Sequence, residues 1–535
     1  MNKKKKKNIL IVYIASLVVI TCFPSKKAIL LKPDTIDSYM QIESPTKVFL
    51  LDASVILFPD GFTVKNDTVC GTGQRYWINY HDEKIIQHQM PLDSIAAMTY
   101  YELEHSAGEQ VGSAIFGLYG GILAPLSIYC IICPKCCFGS CPTLYTYDGK
   151  DYQLEAELFS YCISRYFQET DLDRLSSKIS KNGNYPIRLT NEALETHYIN
   201  QLSLLTVYHP SGTQVFPSTK GGFITIRNSR KPSAVFNSLG ENVLHMVSEN
   251  DSHSYRSDTP IVEELSEDRN RDWLDLTLKA ANGTKNVKLV LRLRNTLLGT
   301  VLFYDVVLAS QGIHAVEWVE KMNNNPFYAL QFNELYKTYA GIKVKVFQDG
   351  EWKQRSKIGD IGPIAWKEMA VDIPVEESDI NPAGEIYVRL EFFPDNFMID
   401  YIAYETEDDF EDSLIITEMS PKRIINDLGK NQSDISYSLQ TDDSRFLITN
   451  PGESYYLDYE VQMHPEMEIA IFVRSKGYYT EWLRGDWITT KDSDYRFNLF
   501  EVDRTIARLK ESWLENRELL ENEFFKTRIP LKEEL

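Results

Sequence analysis

A two-residue alternation of apolar and polar side chains, cut at intervals by Asp-Gly turns, constrains this chain more than any other feature. Asp148-Gly149 and Asp349-Gly350 each separate two alternating runs, and glycine after aspartate supplies the positive φ that a tight hairpin needs. Lys47–Phe58 alternates around Asp52-Ala53-Ser54, and Pro59-Asp60-Gly61 follows as a second turn. With Arg75–Tyr80 and Met90–Glu104, these short strands predict a small barrel-like β domain over 46–110. Tyr185–Pro210, Phe223–Arg227, Trp273–Lys279 and Val287–Arg294 repeat the pattern and predict a β-sandwich over 142–310. Helical spacing in Ile313–Lys337 precedes a compact β unit, Ile342–Tyr404, giving a domain over 311–410. Tyr455–Arg474 places more strands in a β segment over 411–499. In 500–535, Ile506, Leu509, Trp513, Leu520 and Phe524 recur at helical spacing before Pro530, predicting a helix over Val502–Phe525 that docks on the body.

Composition agrees with a mainly β chain. Thirty-one tyrosines and an aromatic content of 12% suit pleated, half-buried surfaces, and 535 residues exceed what one core organises. The net charge of -20 leaves no basic stripe beyond the first seven residues, which sets the chain against nucleic acid as a partner.

The first 22 residues combine five consecutive lysines with an apolar run, Ile9–Ile20, too short to span a bilayer and suited to a secretory signal peptide. Val19-Ile20-Thr21-Cys22 resembles a bacterial lipobox, with Thr21 where Gly, Ala or Ser is usual, so Cys22 is the expected lipidation site. Residues 23–45 are expected to be a tether. Val111–Cys133 holds 23 residues without a charge. Within the glycine- and cysteine-rich segment 111–141, this leaves two arrangements open, a transmembrane span kinked at Pro125 or an apolar hairpin. The membrane, reached through the N-terminal lipid or through 111–133, is thus an expected partner. The expected location is the bacterial cell envelope, anchored and mostly periplasmic or outer-membrane associated.

Five of the eight cysteines fall between Cys130 and Cys141. Cys130, Cys133 and Cys136 match the opening of an iron–sulfur run, but Cys141 lies one residue too far from Cys136. A zinc site using Cys130, Cys133, Cys136 and Cys141 is the other metal reading. Structural cysteines, with Cys141 and Cys162 as the nearest partners for Cys136 and Cys137, are the reading preferred here, and no cofactor is expected. Asp268, Asn270 and Asp272 open like a calcium loop, but Trp273 and Lys279 occupy its glycine and terminal acid positions. Glu155 and Glu157 share one face of an alternating strand, close to Glu169–Asp173, and are expected to be solvated. His81, His88 and His105 lack metal-ligand spacing and read as surface residues. Trp352 and Trp366 are expected to pack in the core or at a rim, and they are the candidate platforms should a sugar face bind.

From Cys141 the chain reads Cys-Pro-Thr-Leu-Tyr-Thr-Tyr-Asp-Gly, then Asp151-Tyr152-Gln153-Leu154-Glu155-Ala156-Glu157, with a second block from Tyr185-Pro186-Ile187-Arg188 through Glu195-Thr196-His197-Tyr198. These blocks resemble an uncharacterised family of bacterial envelope lipoproteins, Bacteroidetes-like, that has no assigned activity. The resemblance implies binding or assembly rather than catalysis. Ile342–Tyr404, ending Asn396-Phe397-Met398-Ile399-Asp400-Tyr401, resembles galactose-binding-like jelly rolls. The expected architecture is therefore a small N-terminal β domain, a glycine-rich apolar segment, stacked β-sandwich and jelly-roll domains, and a C-terminal α-helix. The expected function is a non-enzymatic cell-envelope lipoprotein that binds protein or glycan. The alternatives are a metal- or redox-active protein using Cys130–Cys141 and a carbohydrate-active hydrolase.

Overall fold

A computed structural model describes residues 25–32, 35–37, 39–76, 85–104, 141–251, 253–262, 270–280, 283–406, 414–432, 435–436, 439–442, 445–464, 466–484, 487–488, 495–524, 526 and 531. Residues 1–22, Val111–Cys133 and the cysteines from Cys130 to Cys137 lie outside them, as do His81, His105 and Asp268. The chain divides into two compact units, residues 1–119 with 442–446, and residues 120–441 with 447–535.

The described part of the first unit is one antiparallel sheet. Its spatial order is Ser25–Leu31, Ile95–Glu104, Thr46–Leu50, Val55–Phe58, Thr68–Tyr76, Phe62–Lys65 and Gln41–Ile42, with Ile85–Pro91 on the flank of Thr68–Tyr76. Val48, Ile56, Phe58, Val64, Val69 and Met98 form its core. The turns fall where expected: Ala53 takes a φ of 66° between paired Phe49 and Val55, and Gly61 a φ of 77°. Among the described residues, the sheet's path is open at both ends. The stretch expected to be a tether, 23–45, supplies two of its strands. The apolar run Ala28–Leu31 is too short to show a period, yet it pairs along Thr99–Tyr101 and its neighbours and extends the sheet's edge.

The second unit nests one β-sandwich inside another. In the outer sandwich, one sheet runs Tyr152–Glu157, Thr143–Tyr147, Asn184–Thr190, Ser454–Glu460 and Arg423–Asn426. The facing sheet runs Asp171–Leu175, Glu468–Glu481, Glu195–His209 and Ile415–Met419, with Leu447–Thr449 also on Glu195–His209. Leu144, Ile187, Leu189, Ile199, Leu204, Leu457, Ile471 and Val473 pack between them. The inner sandwich lies within 234–405. Its sheets are Ala234–Asn237, Asp272–Lys279, Glu385–Phe392, Ile342–Gln348 and Glu351–Ile358, facing Tyr255–Arg256, Phe397–Glu405, Asn286–Asn295 and Lys367–Pro374. Apart from the hairpin at Asp349-Gly350, consecutive strands cross from one sheet to the other, the winding that jelly rolls use. The expected divisions near 310 and 410 therefore run through shared sheets. Asn286–Asn295 pairs Lys367–Pro374 across the first, and Glu195–His209 pairs Ile415–Met419 across the second. Strand partners this distant carry no local signal.

Alternation sets which faces are buried. In Asp272–Lys279 the buried positions are Asp272, Leu274, Leu276 and Leu278. Asn286–Asn295 is buried on both faces, Leu289, Leu291 and Leu293 inward and Val290 outward. The hairpin Gln214–Pro217/Phe223–Ile226 explains this: its Phe216 and Ile226 pack with Val290, Ala370 and Ala403, while its Val215 packs with Leu205, Val207 and Phe472 of the outer sandwich. The hairpin is the apolar filler between the sandwiches.

Helices cap one end. An irregular helical run, Leu298–His314, buries Leu298, Val301, Leu302, Phe303 and Val307 and leads into α1 (Ala315–Asn324) and α2 (Pro326–Tyr339). Asn325 caps α2 by accepting from the amides of Phe327 and Tyr328, with Pro326 at the first helical position. The C-terminal helix α3 (Val502–Phe524) buries all five apolar positions read from its spacing. The Trp513 indole donates to Asp395 Oδ2 at 2.6 Å, Arg517 joins the same oxygen at 3.2 Å, and Glu521 accepts from the Leu297 amide at 2.8 Å and from Arg294 at 3.2 Å. Docking of α3 onto the inner sandwich is thus both apolar and polar. Trp513→Ala is expected to destabilise the second unit by about 3–5 kcal/mol, read as a lower urea midpoint, whereas Leu514→Ala on the exposed face changes it by less than about 0.5 kcal/mol.

Candidate functional site

Where the two sandwiches meet the helical cap, three polar contacts set the geometry. The Glu157 carboxylate accepts from the Ile364 amide at 2.7 Å, joining the outer sandwich to a loop of the inner one. Gly362 sits beside it with a φ of 98°, and a Cβ there would meet Glu157 Oε2 at 2.5 Å and Ser160 Oγ at 2.7 Å, so only glycine permits this approach. Asn295 holds the same loop, accepting from the amides of Ile361 (2.8 Å) and Gly362 (3.1 Å) and donating to Asp360 Oδ1 (3.2 Å). The loop Ser160–Glu169 is pinned to α1, where Ser164 Oγ donates to the Met322 carbonyl (3.1 Å) and the Arg165 amide to Asn323 Oδ1 (2.9 Å).

These contacts enclose a cleft of about 340 Å³. Tyr161, Tyr166, Phe167, Phe303, Tyr304, Phe332, Tyr336 and Tyr479 contribute rings to its lining, and Asn295, Thr300, Asn333, Asp360, Lys337 and Lys357 contribute polar groups. The rings are held from behind: Phe332 stacks on Tyr336 with centroids 6.5 Å apart and meets Trp318 and Phe497 edge-on at 5.4 and 6.1 Å. Tyr166 stands 40% exposed at the mouth, with the Arg165 guanidinium 5.0 Å from its ring. Asp360 accepts from the Tyr336 hydroxyl and, at 2.9 Å, from the Gly341 amide. Burial pushes the Lys357 ammonium below the usual lysine range; Asp360 opposes this, and the nearby charges of Lys337 and Arg271 add to it.

Behind the tyrosines lies a buried polar cluster. Glu195 and Glu481 face each other directly in the longest strand pair of the outer sandwich. The Tyr304 hydroxyl donates to Glu481 Oε1 at 2.5 Å and lies 3.5 Å from Glu195 Oε2, and Arg484 donates to Glu481 Oε2 at 2.9 Å. His197 Nε2 is 3.3 Å from Glu195 Oε1. Burial, reinforced by Glu195, holds the Glu481 carboxyl well above the usual carboxylate range, while burial drives His197 down to about 3. Burial thus favours the uncharged forms of the Glu481 carboxyl and the His197 imidazole. Tyr304 and Tyr479 both line the cleft, and the Tyr304 hydroxyl ties it to these acids.

A second buried cluster joins the sandwiches. Lys367 contacts Asp171 and, at 2.8 Å, Asp173 Oδ1, while Asp171 Oδ2 accepts from the Phe159 amide at 3.0 Å. Among the described residues, Asp173 Oδ2 finds no hydrogen-bond partner. Burial and the neighbouring Asp171 push the Asp173 carboxyl up to about 7. Arg174 and Glu368 add an ion pair at 2.6 Å between the same two strands.

Several expectations from the sequence are corrected here. Glu155 and Glu157 do not form a solvated face. A bulge between Leu154 and Ala156 turns the strand, Glu157 is buried, and Glu155 accepts from Thr146 and the Ser176 amide. Trp352 and Trp366 are half-buried, lie outside the cleft, and carry guanidinium groups on their rings. Arg389 sits 4.2 Å from Trp352, and Arg292 sits 4.7 Å from Trp366. Cys141 is a buried thiol donating to the Ser160 carbonyl at 3.3 Å, with burial pushing its pKa up, and Cys162 is likewise buried. Cys130, Cys133 and Cys136 lie outside the described residues. Asn270 is bonded to the backbone of Val262, and Asp272 accepts from Tyr255 and Ser238, so both serve the fold. His88 is exposed as expected. Among the described residues, no group of three His, Cys, Asp or Glu side chains is arranged to hold a metal ion, and no helix is long and apolar enough to cross a membrane.

No family model matches the chain, and no curated protein matches it. One similar solved structure is an uncharacterised protein of Listeria monocytogenes crystallised with α-D-glucose, β-D-glucose, magnesium and calcium. It is 7% identical, with a TM-score of 0.17 over 69% of this chain and 29% of that one. Another is the Sulfolobus Turreted Icosahedral Virus, 8% identical, with a TM-score of 0.14 over 59% of this chain and 91% of that one. The chain thus spans 29% of the Listeria protein. Scores this low define no shared fold.

The Asp173 carboxyl gives the junction a pH dependence of known sign. Its folded pKa lies above its unfolded value of 3.8, so its contribution is fully present at acid pH and is lost as pH rises through about 7. Urea unfolding should show wild type losing on the order of 2 kcal/mol between pH 5 and pH 8 from this group. Asp173→Asn should flatten that loss.

Proposed function

We propose that the cleft binds a short glycan, as the recognition site of a non-enzymatic, membrane-anchored envelope protein. The observation that carries this reading is the lining itself, rings and hydrogen-bonding side chains around one opening of about 340 Å³. Sugars present apolar C–H faces and a rim of hydroxyls, so they match aromatic walls interspersed with amide, carboxylate and ammonium groups. The walls are braced before any ligand arrives, by the Phe332 stack and by the Asn295 and Glu157 contacts, which lowers the ordering cost of binding.

A binding role also suits what the nearby acids do. Glu157 holds a backbone amide, Asp360 holds Tyr336 and Gly341, and Glu195 and Glu481 stand behind tyrosine rings. Each is engaged in positioning the cleft. The export signal and lipobox expected at residues 1–22 would deliver the site to the envelope, where glycans are abundant.

Calorimetric titration of the second unit's cleft in the full exported chain, using phenyl glycosides, tests the reading. Wild type is expected to bind in the micromolar to millimolar range, and Tyr166→Ala to weaken binding about tenfold while leaving the unfolding midpoint unchanged, because Tyr166 stands at the mouth. Equal binding by wild type and Tyr166→Ala, or none by wild type, removes the cleft as the glycan site.

A further inference from the structure

The junction between the two sandwiches gathers an amine and two acids where little water reaches. The side chains of Lys367, Asp171 and Asp173 are 9%, 11% and 7% exposed. Lys367 Nζ contacts Asp171 Oδ1 and lies 2.8 Å from Asp173 Oδ1. Backbone amides fix the Asp171 carboxyl at both oxygens, Leu172 donating to Oδ1 at 2.9 Å and Phe159 to Oδ2 at 3.0 Å. Asp173 is held differently. Its Oδ2 is buried and has no hydrogen-bond partner among the described residues. Burial, the Asp171 charge and the hydrogen bond between the two carboxyls all favour its protonated form.

An ion pair alone does not need this arrangement. One ammonium balances one carboxylate, and a second buried acid beside them adds desolvation cost without a second cation. The same groups are, however, the parts of an amide-forming site. Lys367 supplies a nucleophilic nitrogen, Asp171 the carboxyl carbon, the Phe159 N–H a donor at the oxygen that gains negative charge, and Asp173 an acid beside both. Holding amine and carboxyl in contact replaces an encounter in solution by a step within one molecule.

We propose that Lys367 and Asp171 condense spontaneously into an isopeptide bond that joins the two sandwiches covalently, with Asp173 as the proton shuttle. One proton first passes from Nζ to Asp171 Oδ1, leaving an amine and a carboxylic acid, the forms that burial favours. The Nζ lone pair attacks Cγ, and the Phe159 amide holds the negative charge that moves onto Oδ2. Asp173 takes a proton from Nζ and delivers its own to the Oδ1 hydroxyl, which leaves as water. A C–N bond thus replaces the Cγ–Oδ1 bond, one water is released, and Asp173 ends protonated as it began. The link ties positions 196 residues apart. Phe159 and Asp171 flank the cleft loop Ser160–Glu169, and Lys367 follows Gly362 and Pro363 of the opposite wall, so the bond pins both walls at their roots.

Tryptic peptide mapping of the full chain, purified without any cross-linking reagent, tests this. Wild type is expected to yield a branched species joining residues 166–174 to residues 358–389, uncut after Lys367 and lighter than the two segments together by one water. Fragmentation should place the branch at Asp171 and Lys367. Lys367→Met should give only linear peptides, and Asp173→Asn should leave most of the chain unlinked. Wild type that is cut after Lys367 and releases 166–174 unmodified overturns the proposal, whether or not the variants fold. A branch at Asp173 overturns the choice of Asp171, and full linkage in Asp173→Asn overturns the shuttle.

Discussion

One ammonium group, that of Lys367, lies between two carboxylates of the other sandwich, and the arrangement of the second unit depends on that junction. Lys367 begins an edge strand of the inner sandwich, and Asp171 and Asp173 stand on an edge strand of the outer one. The two edge strands meet through these side chains, and Ser218 bridges Ala370 on the inner one. Removing one partner from such a buried set would strand an uncompensated charge, which costs far more than the intact set contributes. Burial has another consequence: two carboxylates and one ammonium cannot all be balanced, and Asp173 answers by holding its proton up to about pH 7.

The cleft lies in the same unit as that junction. Its walls come from a loop of the outer sandwich, a loop of the inner one and the helical run between two inner strands, so neither sandwich holds the site alone. The hairpin Gln214–Ile226 fills the apolar gap between sheets, Glu157 and Asn295 lock the loops, and Tyr304 ties the cap to the buried carboxyl pair. Tyr166, Lys337 and Lys357 are among its exposed lining residues.

Much of the fold was legible in the sequence because its signals are local. Alternation marked the longer strands, the two Asp-Gly turns fall in hairpins, with Gly149 at φ 103° and Gly350 at φ 88°, and the five apolar positions of the last helix all face inward, whereas short strands such as Ala234–Asn237 and Arg423–Asn426 carried no local signal. Where the reading failed, a distant partner overrode the local pattern. Glu157 alternates like a surface residue, but a bulge and the Ile364 amide take it inside. Trp352 and Trp366 pack at a rim, as preferred from the sequence, with the arginines Arg389 and Arg292 against their rings. The cleft residues had no linear signature, since Tyr166, Tyr304, Tyr336 and Lys357 come from separate stretches.

The sequence by itself determined the β class, the hairpins, the helical insert and the amphipathic helix, because side-chain period, turn chemistry and spacing act over a few residues. Only the tertiary structure decided that one sandwich is threaded through another and that Glu195 and Glu481 face each other. The reason is physical: strand pairing and burial join residues hundreds of positions apart, and their energies depend on which partners arrive together rather than on any residue alone.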